Sequence, residues 1–164
     1  MKNNLFLCLT ALSVIFFSQR LHASDFEIAE NYLASYSNFN IKEMETYYSE
    51  DATFQDLTSE AFGKHAFILT GRDNIIEKFS SSFFQEKFRL KYKFIEKFEA
   101  SGHHVFISEV ISRTTKKDKI KYSCASVVSI IKIVDEKVIS HIDYADYDGF
   151  KQSSKNKEAT CSEF

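Results

Sequence analysis

Phe88-Arg89-Leu90-Lys91-Tyr92-Lys93-Phe94 alternates apolar and basic side chains one for one. A β-strand turns successive side chains to opposite faces, so this period of two predicts a strand with one dry face and one wet face. Downstream, His104 to Thr114, Ile120 to Val134 and Val138 to Tyr147 also read as strands. Turn signals at Ser101-Gly102, Lys116 to Lys119 and Asp135-Glu136 separate them. Upstream the period is helical. Between Asp25 and Phe39, the residues Phe26, Ala29, Tyr32, Leu33 and Tyr36 form an apolar stripe, with Glu27, Glu30 and Asn31 off it. Asn38-Phe39-Asn40 is a capping cluster for a second, short helix that carries Ile41, Met44, Tyr47 and Tyr48 and ends near Ser49. Ala52 to Asp56 reads as a short strand, and a loop containing Phe62, His65 and Phe67 follows it. Gly71-Arg72-Asp73 opens a third helix, with Ile75, Ile76, Phe79, Phe83 and Phe84 on its buried side.

Helices followed by hairpin-linked strands imply an α+β fold in which the helices pack on one face of a curved antiparallel sheet. The strand from Ile120 is apolar on both parities, with Ala125, Val127, Ile131 and Ile133 on one side and Val128 and Ile130 on the other. Helices cover only one face, so the other is expected to meet a second copy in a homodimer. Glu109 shares parity with Val105, Ile107 and Ile111, which predicts a buried carboxylate or an interface salt bridge.

At 164 residues the chain suits one ordinary core. Residues 1–23 carry Lys2, a largely apolar run from Leu5 to Phe17, and Leu21-His22-Ala23 ahead of Ser24. That is the pattern of a cleaved secretory signal, and the break at Ser18-Gln19-Arg20 argues against a stable membrane anchor. The expected organisation is a signal peptide at 1–23, a domain at 24–150 and a polar tail at 151–164, with the protein exported to a periplasm or secreted. Removing Lys2 and Arg20 leaves 19 basic against 23 acidic residues, a net charge of −4, which implies no nucleic-acid partner. Export permits a disulfide between Cys124 and Cys161. No cysteine or histidine spacing suggests a metal, and nothing calls for a cofactor.

The order helix, helix, SEDATFQD (49–56), loop, GRDNIIEKF (71–79) and strands ending in KVISHIDYADY (137–147) resembles the nuclear transport factor 2-like superfamily. That superfamily includes SnoaL-like polyketide cyclases, ketosteroid isomerases, limonene epoxide hydrolases and many noncatalytic domains. The resemblance implies a cone, a bent antiparallel sheet wrapped around about three N-terminal helices, with a mostly apolar pocket at the open end. It also implies an apolar or aromatic small-molecule ligand. Asp56 matches the isomerase base, and Tyr32 in NYLASY (31–36) matches the hydroxyl that bonds the developing oxyanion. The isomerase's second donor falls at Ser129. Asp143 in HIDYAD (141–146) matches an epoxide hydrolase aspartate, while that enzyme's arginine-aspartate pair falls at Val110 and Ser112.

Strand alternation puts Ile139, His141, Asp143 and Ala145 on one face, which the resemblance turns toward the pocket. His141 and Asp143 make an acid-base pair, because imidazole titrates near neutral pH. The candidate catalytic residues are therefore Asp56, His141 and Asp143, and the candidate ligand-binding residues are Tyr32 and His65, the latter in the loop over the pocket mouth. The implied function is an exported SnoaL-like small-molecule-binding domain with acid-base chemistry of isomerase, cyclase or lyase type. The alternative is a noncatalytic dimerisation or protein-interaction module. Intact-mass measurement on exported protein is expected to place the N-terminus at Ser24 or within a few residues of it. Recovery of the full 19.0 kDa chain from membranes would instead identify an anchor.

Overall fold

The computed structural model describes residues 23–61, 65–81, 88–116 and 119–153. Helix α1 (Asp25–Ser37) begins where Ser24 accepts the Glu27 N–H at 3.2 Å, and Asp25 and Glu27 in the first turn complement the helix dipole. The expected stripe is its buried side, joined by Ile28. Phe39 takes a positive φ of 51° and turns the chain into α2 (Ile41–Tyr47). β1 (Tyr48–Asp56) follows at once, earlier than the expected start at Ala52, because Tyr48 already pairs with Val138.

The stretch read as one loop contains a 3-10 turn (Ser59–Ala61) and a short strand, β2 (Phe67–Thr70), that lies antiparallel on β1. α3 (Arg72–Ser80) then leads to β3 (Phe88–Ala100), β4 (His103–Lys116), β5 (Lys119–Val134) and β6 (Lys137–Ala145). Phe83 and Phe84, expected on α3, and Phe62 in the loop lie outside the described residues. Two-residue turns at Ser101-Gly102 and Asp135-Glu136 hold both members at positive φ, the twist that suits tight hairpins.

The six strands form one unclosed sheet in the order β2-β1-β6-β5-β4-β3. Neighbours are antiparallel except β1 and β6, which run parallel because the rest of the sheet intervenes between them in sequence. Helices α1 to α3 fill the concave face, where Tyr32, Leu33, Met44, Phe54, Ile75, Phe106 and Ile131 share the core.

Bulges refine the sequence reading. A register shift within the β5–β6 pair sends Val138 into the core ahead of His141, leaving Ile139 only half-buried. Glu109 lies on the convex face and forms an ion pair with Lys93 of the neighbouring strand at 3.6 Å. His104, near the start of β4, is buried on the concave side with its ring edge-on to Phe26.

One element was not expected. Helix α4 (Tyr147–Ser153) runs on past the predicted boundary at Phe150. Asp146 caps it by accepting the Gly149 N–H at 2.8 Å, and a Cβ at Gly149 would lie 2.5 Å from that same carboxylate. Ser153 fastens the far end, its hydroxyl accepting from the Cys124 N–H and donating to the Cys124 carbonyl, both at 2.9 Å. Cys124 is disulfide-bonded, and Cys161 lies outside the described residues, as does all of 154–164. Among the described residues no helix is long and apolar enough to cross a membrane.

Candidate functional site

Along β6, His141 and Asp143 both turn toward the helices, as two-residue alternation requires. His141 is fully buried, and its Nε2 lies 2.9 Å from Asp143 Oδ1. Its Nδ1 lies 2.7 Å from the Tyr32 hydroxyl, which in turn bonds the Tyr48 hydroxyl. For the neutral imidazole with Nε2–H donating to the Asp143 carboxylate, Nδ1 accepts from Tyr32 and Tyr32 accepts from Tyr48. Asp143 receives two further donors, Ser129 Oγ–H on Oδ1 at 2.6 Å and the Tyr36 hydroxyl on Oδ2 at 3.4 Å.

Burial, above all, pushes the hydroxyls of Tyr32, Tyr36 and Tyr48 well above the ordinary tyrosine range, with the charge of Asp143 adding to it. They stay protonated as donors through neutral pH. Aromatic faces close around the imidazole, with Phe54, Tyr36 and Tyr32 meeting it edge-on at centroid distances of 4.8, 5.0 and 5.4 Å.

Asp56 ends β1, directly across the parallel register from Asp143. Parallel neighbours lie about 4.8 Å apart, so the two carboxyl groups stand side by side. Asp56 accepts from the Tyr147 hydroxyl and, at 3.1 Å, from Thr58 Oγ, which also accepts the Ala145 N–H at 2.7 Å. Burial raises the Asp56 carboxyl above the ordinary carboxylate range; the Tyr147 bond opposes this, and the negative charge of Asp143 reinforces it.

Asp56 and Asp143 both line a cavity of about 640 Å³ whose wall is mainly aromatic and aliphatic, including Phe39, Phe54, Phe67, Phe79 and Tyr92. Helix α4 adds Tyr147, Phe150 and Lys151 to the lining. Of the five candidates, Tyr32, His141 and Asp143 thus form one hydrogen-bonded chain, and Asp56 joins it across the strand register. Tyr32 and His141 stand behind the cavity wall, not on it. His65 is exposed and does not contribute to the lining. Among the described residues no group of histidine, cysteine or carboxylate side chains is arranged to hold a metal.

Comparison with solved structures agrees with this architecture. A protein from Shewanella denitrificans assigned as a SnoaL-like polyketide cyclase superposes with a TM-score of 0.69 at 18% identity, covering 82% of this chain and 98% of its own. An LEH-like epoxide hydrolase from M. tuberculosis gives 0.65 at 10% identity, with 80% and 89% covered. A protein of ketosteroid isomerase-like fold from Catenulispora acidiphila, in complex with trimethylamine, gives 0.61 at 16%, with 79% and 92% covered. The chain has the nuclear transport factor 2-like fold. No family model and no curated protein matches its sequence.

Within this nuclear transport factor 2-like domain, the positions matched to other activities have different occupants and different work. Val110 and Ser112 line the cavity where the epoxide hydrolase pattern has an arginine-aspartate pair. Ser129, at the isomerase's second donor position, spends its hydroxyl on Asp143. Sequence reasoning missed Tyr36, Tyr48 and Tyr147. Tyr36 carried a helical-stripe signal only, Tyr48 was assigned to a helix end, and Tyr147 belongs to the unexpected α4.

The raised Asp56 carboxyl makes a signed prediction. Its contribution to stability is fully present below the ordinary aspartate range and is lost as pH rises through the raised folded value. Between about pH 4 and about pH 7, wild type should therefore lose melting temperature relative to Asp56→Asn. A constant offset across that window in paired thermal melts would contradict the assignment.

Proposed function

We propose that this domain binds an apolar or aromatic small molecule in the cavity and moves a proton on it, with Asp143 as the base and Asp56 as its acid partner. The observation that carries this reading is the pair itself, two carboxyl groups in cross-strand register on the wall of an otherwise apolar cavity, each held by neutral donors. The oxygens of Asp143 are unequal. Oδ1 takes two short bonds, whereas Oδ2 takes only the long one from Tyr36, so Oδ2 is the oxygen with a lone pair for a ligand proton. His141 is a positioning residue. It fixes the rotamer of Asp143 and is itself oriented by Tyr32.

Asp56, with its carboxyl raised, is suited to hold a proton and return it to a neighbouring atom on the same side of the ligand. Removal and delivery by adjacent groups suits isomerase, cyclase or lyase chemistry, and the names carried by the cyclase and epoxide hydrolase neighbours support it. The first residues of the chain support export as the setting.

The probe is 5-nitrobenzisoxazole, a flat aromatic carbon acid. A base that removes its ring C–H proton breaks the N–O bond and releases a coloured nitrophenolate. Wild type should exceed free acetate at matched carboxylate concentration, and Asp143→Asn should fall by about 10²- to 10⁴-fold. Wild type no faster than acetate, or an unchanged Asp143→Asn variant, would refute the reading.

The convex sheet face supports a second reading, self-association. Phe98, Ile120, Tyr122 and Tyr144 are large apolar side chains left exposed on strands whose opposite face is covered by helices. Sedimentation at micromolar concentration should show a dimer, and Tyr144→Lys should weaken it. A monomer throughout would assign that face to another partner.

A further inference from the structure

We infer that the cavity has a second polar end, and that its ligand is an elongated amphiphile whose carboxylate head lies among Ser112, Ser123 and Lys121 while its apolar body reaches toward Asp143. This rests on the cavity being the ligand site.

The concave side of β5 carries Ser129, Val127, Ala125, Ser123 and Lys121 in turn. Ser129 opposes Asp143 on β6, whereas Ser123 opposes Ser112 on β4 and Lys121 opposes Thr114. From Ser129 to Ser123 the strand runs six residues, roughly 20 Å at the usual rise. Leu90, Val110 and Val127 wall the stretch between. The cavity is thus acidic at one end, apolar in the middle and hydroxyl-lined at the other.

Two observations at the far end point to an anion. Ser112 is 5% exposed and lines the cavity, and its hydroxyl, bonded to no other side chain or backbone group among the described residues, offers a donor to whatever occupies that end. Lys121 lines the same end and makes no ion pair among the described residues. Hydroxyl donors with an ammonium behind them suit a carboxylate, since bonds to an ionised acceptor are the stronger kind. Asp56 and Asp143 repel an anion from the opposite end, which fixes the direction of entry.

Three fluorescent probes that share one apolar body separate the alternatives: 1-pyrenebutyrate, 1-pyrenebutanol and 1-pyrenebutylamine, titrated at about pH 8, where the acid is ionised. The acid should bind about fivefold more tightly than the alcohol, and the preference should shrink at high salt. Lys121→Met, at an exposed position, should abolish the difference between acid and alcohol. Ser112→Ala, which removes one hydroxyl from a small side chain, should weaken the acid alone. Equal affinity for acid and alcohol, or tightest binding of the amine, would overturn the inference and leave the cavity reading intact. Failure of all three probes to bind would overturn both.

Discussion

A buried imidazole has to find partners for both ring nitrogens, and in this chain that requirement ties together the elements on which the site depends. His141 on β6 reaches Tyr32 on α1 through one nitrogen and Asp143 through the other. Tyr48 at the head of β1 completes Tyr32, and Ser129 on β5 completes Asp143. Loss of any one hydroxyl leaves a desolvated group unsatisfied, at a cost of about 1–3 kcal/mol. The position of α1 over the sheet is therefore determined by polar geometry as well as by the apolar contacts of Leu33 and Ile131.

The same network accounts for how a carboxylate can stand in an apolar wall. Asp143 accepts three donors, His141 Nε2–H and the hydroxyls of Ser129 and Tyr36, so its oxygens are solvated by the protein. Asp56 experiences a different balance. It has two side-chain donors, partial burial and a like charge across the register, and its carboxyl is raised. Two carboxyl groups of the same chemistry thus stand in unlike surroundings.

Helix α4 lies beside this pair. It is short, begins at an aspartate cap that a side chain at position 149 would crowd, and is held at its end by the backbone of Cys124. Through Tyr147 it donates a hydrogen bond to Asp56, and through Phe150 and Lys151 it lines the cavity. A nuclear transport factor 2-like cone without this helix would expose the Asp56 side of the pair to water.

Much of the fold was legible because local periodicity survives into the tertiary structure. Phe88 to Phe94, the stripe from Ala29 to Tyr36 and the turns at Ser101-Gly102 and Asp135-Glu136 each encode their own geometry through side-chain spacing or backbone φ. Asp56, His141 and Asp143 were legible as chemistry for a related reason, since polar groups in apolar strands must be used. What the sequence did not determine alone is every relation across strands. Phe67 to Thr70 becomes a strand only because β1 offers it an edge, and Val138 displaces Ile139 from the core only because of a bulge against β5. The pairing of Asp56 with Asp143 exists only in the parallel register of the first strand and the last. Such contacts join residues about ninety positions apart, and no local pattern specifies a register between them; only the packing of the whole sheet against its helices does.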